Sequence, residues 1–399
     1  MGVDRLTDEP AAWAFTAPAH RYLMPPQTFT WKADCRHFDG GLPCRYWRPC
    51  TGCPEYAPAG RRYLLIMLGL HGDMLIASPL PPRIKRDHPD AHITWLCDEA
   101  HVPLMEMNPA VDRALAFSWE TVRQLEREHF HAIYSFERTP SAASLMETVS
   151  CDERAGLAYG GPASGLYAVG TAAEHFFKMN TWNDFRAITN RRTWTELYFE
   201  VAGYTYDDEP YELDVPAAAR EPVRAFAQQW AGRRTVGFNL GSSLTTKMWP
   251  MSNWIDLGER LVAQDASVWL FAGPKEHAMA EEIHARLATR SPSQVHYRPW
   301  SLTEFCAAFE FCDVVVTGDT FGYHLALLHG TPAVVLFGPS HDAEVVPKGP
   351  RALTILTSPA PCSPCAHQVA CGGAGGCMEM IPAHDVLLAV ANHLAVLGR

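Results

Sequence analysis

Residues 313–340 have the sequence Asp-Val-Val-Val-Thr-Gly-Asp-Thr-Phe-Gly-Tyr-His-Leu-Ala-Leu-Leu-His-Gly-Thr-Pro-Ala-Val-Val-Leu-Phe-Gly-Pro-Ser. The apolar runs at residues 314–316 and 333–337 are typical of buried strands. Between them, apolar residues at helical spacing follow Asp-Thr at 319–320, which favours a helix N-terminus, and Gly330 ends the predicted helix. The stretch therefore predicts a βαβ unit with a polar loop after its first strand. Ligands bind at that edge of open parallel sheets, and a helix N-terminus there favours phosphate. An ordinary, well-capped βα turn is the alternative.

The regions before this stretch also alternate apolar strands with helices, which predicts a doubly wound α/β protein. A capping box at Ser301 and Glu304 is expected to open one helix. A long helix is expected over residues 74–87, irregular at its prolines, and an amphipathic one over 190–203. Strands are predicted at residues 63–68, 92–97, 114–117, 132–136, 235–240 and 268–272.

Four parts of the chain are expected from these patterns. They are a Cys-rich module at 1–60, two Rossmann-like domains at 61–215 and 216–357, and a Cys-rich segment with a closing helix at 358–399. The linker before the second Rossmann-like domain is expected within the Pro- and Ala-rich residues 209–222.

Composition limits the partners. The 399 residues carry a formal net charge of −11, and no basic footprint for nucleic acid is visible. The first ten residues lack the apolar core of a signal peptide, and no apolar run is long enough to span a bilayer. We expect a soluble cytoplasmic protein without a transmembrane segment.

Eight of the twelve cysteines form two tight clusters, each containing a Cys-x-x-Cys pair. Such pairs let thiolates reach one tetrahedral ion, and metal binding would supply folding energy to segments with little apolar content. Zn²⁺ is expected, with iron allowed, either as one ion per cluster or as one ion shared by the two pairs. Unrelated reduced thiols are the alternative, and His37 is a possible substitute ligand. The predicted ligands are Cys35, Cys44, Cys50 and Cys53, and Cys362, Cys365, Cys371 and Cys377. The predicted buried thiols are Cys97, Cys151, Cys306 and Cys312.

The combination of Asp319-Thr320-(x)3-His324, Gly330-Thr331-Pro332 and Leu-Phe-Gly-Pro-Ser at 336–340 resembles the nucleotide-sugar signature of glycosyltransferase family 9. That family comprises the bacterial heptosyltransferases, which have the two-domain GT-B fold. The resemblance covers about residues 61–395. One departure is Phe321, where many members have glycine, with Gly322 following. The Cys-Ser-Pro-Cys segment is similar to that of metal-containing members, in some of which the metal is iron.

The resemblance implies an inverting glycosyltransferase with two Rossmann-like domains facing a cleft. The donor would be a nucleotide-sugar, ADP-heptose in this family, and the acceptor a hydroxyl on a glycan, lipopolysaccharide core or protein. No catalytic divalent cation would be required. Another sugar-nucleotide enzyme such as an epimerase, or a non-catalytic metal-knuckle interaction protein, remains an alternative.

The resemblance also assigns roles. Asp73, after Gly72, matches the proposed catalytic base, although capping of a helix explains an aspartate there equally well. Thr246 and Lys247 match a loop before a Trp-Pro pair, and the lysine charge would neutralise the leaving diphosphate rather than lie on the surface. Glu276 is a predicted contact for ribose hydroxyls, although a glutamate in the first turn is favourable at any helix N-terminus. The remaining predicted substrate contacts are Gly72, Asp319, Thr320, Gly322 and His324.

Overall fold

The computed structural model describes residues 32–38, 44, 46–367 and 376–398. The chain divides into two compact units, Met1–Pro58 and Ala59–Arg399. The described residues of the smaller unit form turns and a single isolated bridge between Cys35 and Pro58. The larger unit contains two α/β domains, each built on a six-stranded sheet, as predicted.

The first sheet has the order β3-β2-β1-β4-β5-β6 and is parallel except for its last strand. The apolar residues of β1 and β2 are buried on both faces, which is typical of central parallel strands. Its strands are β1 (Arg62–Ile66), β2 (His92–Cys97), β3 (Arg113–Ala116), β4 (His129–Ser135), β5 (Ser150–Tyr159) and β6 (Leu166–Val169). Its helices are α1 (His71–Ala77), α2 (Leu80–Asp87), α3 (Val102–Glu106), α4 (Trp119–Leu125), α5 (Pro140–Ala143), α6 (Leu145–Thr148), α7 (Glu174–Thr181) and α8 (Trp194–Val201).

The second sheet has the order β12-β11-β10-β7-β8-β9 and is parallel throughout. Its strands are β7 (Thr235–Asn239), β8 (Ser267–Phe271), β9 (Val295–Tyr297), β10 (Val314–Gly318), β11 (Ala333–Phe337) and β12 (Leu353–Thr357). The helices that follow in the chain are α9 (Ala217–Gln228), α10 (Met251–Val262), α11 (His277–Ala288), α12 (Leu302–Ala308), α13 (Phe321–His329), α14 (Gly376–Glu379) and α15 (Ala383–Val396).

Each sheet has one topological switch point, where neighbouring strands lead to opposite sides of the sheet. It lies between β1 and β4 in the first sheet and between β7 and β10 in the second. Crevices at the carboxyl ends of such strand pairs are the usual ligand sites of doubly wound folds. Helix α1, which follows β1, packs against α13, which follows β10. The two switch points therefore meet across the junction of the domains.

Several predicted elements differ from the structure. The helix predicted over 74–87 is two helices, α1 and α2, because Pro79 lies in the break as the N-cap residue of α2, and Pro81 and Pro82 fit only a new first turn. The helix predicted over 190–203 is confined to α8, which begins at a Thr193–Glu196 capping box. The linker predicted over 209–222 is wrong for its last six residues, which begin α9, where three alanines favour helix.

Two further points concern the cysteines and membranes. Cys97, Cys306 and Cys312 are buried as predicted, whereas Cys151 is only half-buried because the first part of β5 is incompletely covered. Across the residues that the structure describes, no helix is both long and apolar enough to cross a bilayer.

Candidate active site

Asp73 is the third residue of α1 and is half-buried at the switch point of the first sheet. Its Oδ2 accepts a hydrogen bond from the Leu70 amide at 2.8 Å, so it does close the helix N-terminus. Its Oδ1 accepts no hydrogen bond from any residue in the described part of the chain. Burial raises the pKa of Asp73, whereas the Leu70 amide and the Lys247 ammonium lower it, and Asp319 raises it further. Capping and catalysis are therefore compatible, since one oxygen holds the loop and the other accepts no hydrogen bond from the described residues.

The loop that carries Asp73 is fixed upstream through Leu68. The Leu68 amide donates to Oε2 of the buried Glu137 at 2.9 Å, and Nδ1 of His101 contacts the Leu68 carbonyl oxygen at 3.0 Å. Glu137 follows β4, so the two strands of the switch point are joined by this carboxylate. The His71 ring packs edge-on against His101, with centroids 4.5 Å apart. Such a fixed loop places the Asp73 carboxylate reproducibly.

Lys247 and Asp319 form an ion pair in the second domain. Lys247 ends the 3-10 turn Thr245–Lys247 after β7, and its Nζ lies 2.6 Å from Oδ2 of Asp319 and 3.3 Å from the Asp319 carbonyl oxygen. Asp319 is buried directly after β10. The structure thus brings together two residues that are 72 positions apart and were predicted to contact the same donor.

Asn239, which the sequence reasoning did not single out, organises the second switch point. It is the last residue of β7, and its Nδ2 donates to Thr317 Oγ1 at 3.0 Å and to Thr320 Oγ1 at 2.7 Å. Thr320 is the N-cap residue of α13, but its side chain bonds Asn239 instead of capping the helix. A Cβ at Gly322 would lie 2.5 Å from Asn239 Cγ, so only glycine fits there. The sequence did contain a signal for Asn239, because it is a polar residue at the end of an apolar strand.

His324 and Gly72 lie where α1 of the first domain packs against α13 of the second. His324 is buried on α13, and its Nδ1 lies 3.2 Å from the Tyr211 hydroxyl. A Cβ at Gly72 would lie 3.2 Å from the His324 ring and 3.8 Å from the Phe321 amide at the start of α13. Burial lowers the pKa of His324 to about 4, so the imidazole is neutral at pH 7. Glycine at 72 therefore lets the Asp73 loop approach the N-terminus of α13.

Phe321, the departure from the family pattern, does not obstruct this approach. Its ring stacks on Phe305 at 5.8 Å and tilts against His71 at 5.2 Å. The aromatic side chain therefore packs between the domains.

Glu276 lies at the end of β8, in the 3-10 turn Pro274–Glu276. A Cβ on either Gly241 or Gly273 would lie 3.0 Å from its Oε2. The carboxylate therefore occupies the space that two glycines leave open, beside the loop that leads to Lys247. This position fits the predicted contact to ribose hydroxyls.

Arg186 was also missed, and the irregular sequence around it offered no signal. It lies in the π-helical turn Phe185–Thr189 and binds the Glu344 carboxylate through Nε at 2.8 Å and Nη2 at 2.6 Å. Glu344 follows β11 and is 2% exposed. Trp194 Nε1 also donates to it, at 3.3 Å. Asp73 and Asp319 both act electrostatically on Arg186, so this arginine lies near the two predicted site carboxylates.

Thr246 contacts a histidine from the Cys-rich segment: its Oγ1 lies 3.4 Å from Nδ1 of His367. Burial lowers the pKa of His367 to about 4, with help from the Lys247 and Arg186 charges and against Asp319. No sequence pattern marked His367, which lies 120 positions after Lys247. The segment predicted to be a metal knuckle therefore reaches the candidate active site.

The predicted metal knuckles are not confirmed. In the N-terminal unit the four clustered cysteines and His37 line one cavity. In the C-terminal cluster Cys362 is exposed, Cys365 half-buried and Cys377 buried, while Cys371 lies outside the described residues. Considering only side chains that the structure describes, no three His, Cys, Asp or Glu residues are grouped as metal ligands. Both metal sites stay predictions.

Comparison with known proteins tests the family resemblance. A model of Glycosyltransferase family 9 (heptosyltransferase) matches residues 119–372. The lipopolysaccharide heptosyltransferase 1 of Pseudomonas aeruginosa is 25% identical over 323 residues, which are 76% of this chain and 86% of that protein. The lipooligosaccharide heptosyltransferase 2 of Haemophilus influenzae is 28% identical over 164 residues, 37% of this chain but only 44% of that protein.

A solved structure supports the architecture. The ADP-heptose lps heptosyltransferase II of E. coli superimposes with a TM-score of 0.64 at 18% identity, covering 85% of this chain and all of that one. This likeness confirms the predicted GT-B type of fold with two α/β domains. Because the family model matches more than half of the chain, the protein belongs to glycosyltransferase family 9 and is a glycosyltransferase.

Proposed function

We propose that this enzyme transfers heptose from ADP-heptose to an acceptor hydroxyl, with inversion at the anomeric carbon. The observation that carries the proposal is the meeting of Asp73, from the first switch point, with the Lys247–Asp319 pair, from the second. Lys247 and Asp319 both shift the pKa of Asp73, so the three groups lie within electrostatic reach. An inverting transfer needs this arrangement, a base on one side of the sugar and a cation at the leaving group on the other.

Asp73 is the base in this proposal. Its carboxylate takes the proton of the acceptor hydroxyl while the acceptor oxygen forms a bond to the anomeric carbon. The bond between that carbon and the diphosphate oxygen breaks, and its electron pair leaves with ADP. Burial raises the basicity of the Asp73 carboxylate, which makes proton transfer from a hydroxyl more favourable.

The leaving diphosphate is stabilised in this proposal by the Lys247 ammonium and by the N-terminus of α13. Asp319 orients Lys247 before the donor binds, so less reorganisation is needed when negative charge develops. Thr320 is held at the start of this helix, because its oxygen accepts from Asn239 and lies 3.2 Å from Thr317 Oγ1. Fixed protein groups supply the charge stabilisation in this scheme, which requires no catalytic divalent cation.

The donor nucleoside would lie beside Glu276. Its carboxylate lies in the turn after β8, beside Gly241 and Gly273. Asp319 would contact sugar hydroxyls through the 9% of its side chain that is exposed. The acceptor most consistent with the relatives' names is a lipopolysaccharide or lipooligosaccharide core. The acceptor screen described below also tests other glycans and protein hydroxyls as acceptors.

The cysteine clusters are proposed to hold structural zinc or iron. Four thiols around one cavity in the N-terminal unit are a donor set that fits a tetrahedral ion. In the C-terminal cluster the ligands would be Cys362, Cys365, Cys371 and Cys377. A bound ion there would stiffen the loop, and no chemical step of the transfer passes through it.

The test is a donor and acceptor screen read by mass spectrometry. Purified enzyme is incubated with ADP-heptose and with core oligosaccharides, other glycans or peptides. We expect a mass gain of one heptose on one acceptor class, matched by ADP release, with the inverted anomer seen by NMR. A changed sugar configuration in the nucleotide-sugar without acceptor, seen by NMR, would instead identify an epimerase. Absence of any response to nucleoside diphosphates would identify a binding protein.

A further inference from the structure

We propose that His367, carried by the Cys-rich segment, contacts the diphosphate of the bound donor, so that this segment forms part of the donor site. The inference rests on the proposed transfer from a nucleotide-sugar, and it assigns the segment a role in that reaction besides structural support. Three separate observations carry it: the anchoring of the segment, its backbone conformation and the groups around the imidazole.

The segment is anchored on the loop that follows β11. Amides of Cys365 and Ala366 donate to the Pro339 carbonyl oxygen at 3.2 and 2.9 Å. The Ser363 hydroxyl donates to the Gly338 carbonyl oxygen at 2.6 Å. Strand β11 pairs with β10, which ends at Gly318, so this loop lies at the same sheet edge as the predicted donor site. The hydrogen bonds hold residues 363–366 against that edge.

The backbone at the end of the segment is held in an unfavourable conformation. Ala366 has a φ of 46° and His367 a φ of 64°. Histidine is among the residues that are enriched in this left-handed region, whereas alanine rarely adopts it and persists there only where the surrounding structure holds it. Two consecutive residues of this kind end the described segment at His367. The backbone at Ala366 is therefore held in place by its surroundings, and this fixes the position from which the His367 side chain extends.

The imidazole lies among the groups assigned to the diphosphate. Its Nδ1 is 3.4 Å from Thr246 Oγ1, and Thr246 precedes Lys247 in the same turn. Lys247 from the second domain and Arg186 from the first both act electrostatically on His367. The Asp319 carboxylate acts on His367 as well. Cations beside a hydrogen-bonding ring favour an anionic ligand oxygen. The diphosphate is the anion that the adjacent Lys247 is expected to bind.

The variants at residue 367 are chosen so that the new side chain tolerates the left-handed backbone conformation. His367→Gly removes the imidazole but relieves the left-handed strain, so it should not destabilise the fold. His367→Asn tolerates the same conformation and keeps a side chain that can donate a hydrogen bond. His384→Ala, on the exposed first turn of α15, is the control. Binding of ADP and ADP-heptose is measured by calorimetry, with metal content and melting temperature recorded for every variant.

We expect His367→Gly to weaken ADP and ADP-heptose binding by about tenfold or more, since tenfold is the lower limit for one hydrogen bond to a charged group. The melting temperature, the metal content and the acceptor KM should stay at wild-type values. His367→Asn should recover most of the affinity, and His384→Ala should behave as wild type.

Unchanged donor affinity in His367→Gly would overturn the assignment, and so would a defect confined to the acceptor KM. Binding and transfer measured with the wild-type enzyme test the proposed function separately. A wild-type enzyme that binds ADP through His367 yet transfers no heptose would contradict the proposed function and leave this contact standing. A wild-type protein that binds neither ADP nor ADP-heptose would contradict both.

Discussion

The Nζ atom of Lys247 lies 2.6 Å from Oδ2 of Asp319, which places the two charged groups of the predicted donor site in direct contact. Both side chains are largely shielded, with 17% and 9% exposed, so water weakens their attraction less than at the surface. Burial alone would raise the pKa of Asp319, yet the Lys247 charge and hydrogen bond bring that pKa down to about 2. Asp319 is therefore ionised at physiological pH, and Lys247 is oriented before a donor arrives.

Lys247→Ala and Asp319→Ala should each weaken ADP-heptose binding by on the order of 2 kcal/mol, roughly 30-fold. The first change removes the cation for the diphosphate, and the second leaves Lys247 without the group that orients it. Calorimetry with ADP-heptose measures both. Arg290→Ala removes an exposed ion pair with Glu259 and serves as the control. Wild-type affinity in both site variants would remove the pair from the donor site.

Asp73→Asn should abolish transfer while donor affinity stays near the wild-type value. The amide oxygen of asparagine can still accept from Leu70, so the loop is retained, but the base is lost. Single-turnover rates and calorimetric donor affinity separate the two effects. Wild-type turnover by this variant would exclude Asp73 as the base. The test is needed because residue 73 precedes the part of the chain that the family model matches.

The pH profile of the wild-type enzyme follows from the same residue. The base must be ionised, and burial raises the pKa of Asp73 above its ordinary value of about 3.9. As the pH falls, kcat should therefore decline around a pKa higher than that of a free aspartate. If kcat declines with an apparent pKa at or below that of a free aspartate, Asp73 is not a base whose pKa is raised by burial.

The central strands and their order in the chain could be predicted because apolar runs bounded by glycine and proline are local signals. Strands β2 and β11 were predicted with their observed bounds. Local signals also sufficed for Gly330, which adopts the left-handed conformation at the end of α13. The prolines at 79, 81 and 82 were recognised as irregular, but whether they bend one helix or separate two depends on packing.

Contacts between distant segments could not be predicted. Lys247 was expected at the diphosphate and Asp319 at the sugar, but their mutual ion pair needs the folded switch point. Arg186 and His367 come from irregular segments, where no period marks a side chain as part of a site. Even Phe321, a visible departure from the family pattern, required the rings of Phe305 and His71 to show where it packs.

Arg186→Met should destabilise the protein by about 3–5 kcal/mol, because it leaves the buried Glu344 carboxylate without its cation. Adding Glu344→Gln should restore much of that stability, since the uncompensated charge is then gone. Urea unfolding measures both variants. Arg220→Met breaks the more exposed pair with Glu310 and should cost less than about 1 kcal/mol. Equal losses for Arg186→Met and Arg220→Met would show that the buried pair has no special role.

Gly322→Ala should weaken donor binding, because the added Cβ would lie 2.5 Å from Asn239 Cγ and displace the side chain that holds Thr320. Overpacking of this kind typically costs about 1–3 kcal/mol of stability. Asn239→Ala removes the obstacle, so the double variant should be more stable than the sum of the single changes predicts. Additive effects on unfolding and on ADP affinity would show that the two residues do not interact as described.

Metal removal tests the cysteine clusters. If each cluster holds one ion, elemental analysis should give about two zinc or iron ions per chain under the four-ligand rule. One ion per chain would favour a site shared by the two Cys-x-x-Cys pairs.

Serine replacement of Cys50 and Cys53 should remove the N-terminal ion alone, whereas replacement of Cys362 and Cys365 should remove the other. Only the second loss should also weaken ADP binding, because the C-terminal cluster lies beside Gly338 and leads to His367. Cys151→Ser, at a half-buried thiol on β5, is the control for replacing a cysteine as such. Purified protein that contains no metal and melts at the same temperature with and without a chelator would end the metal hypothesis.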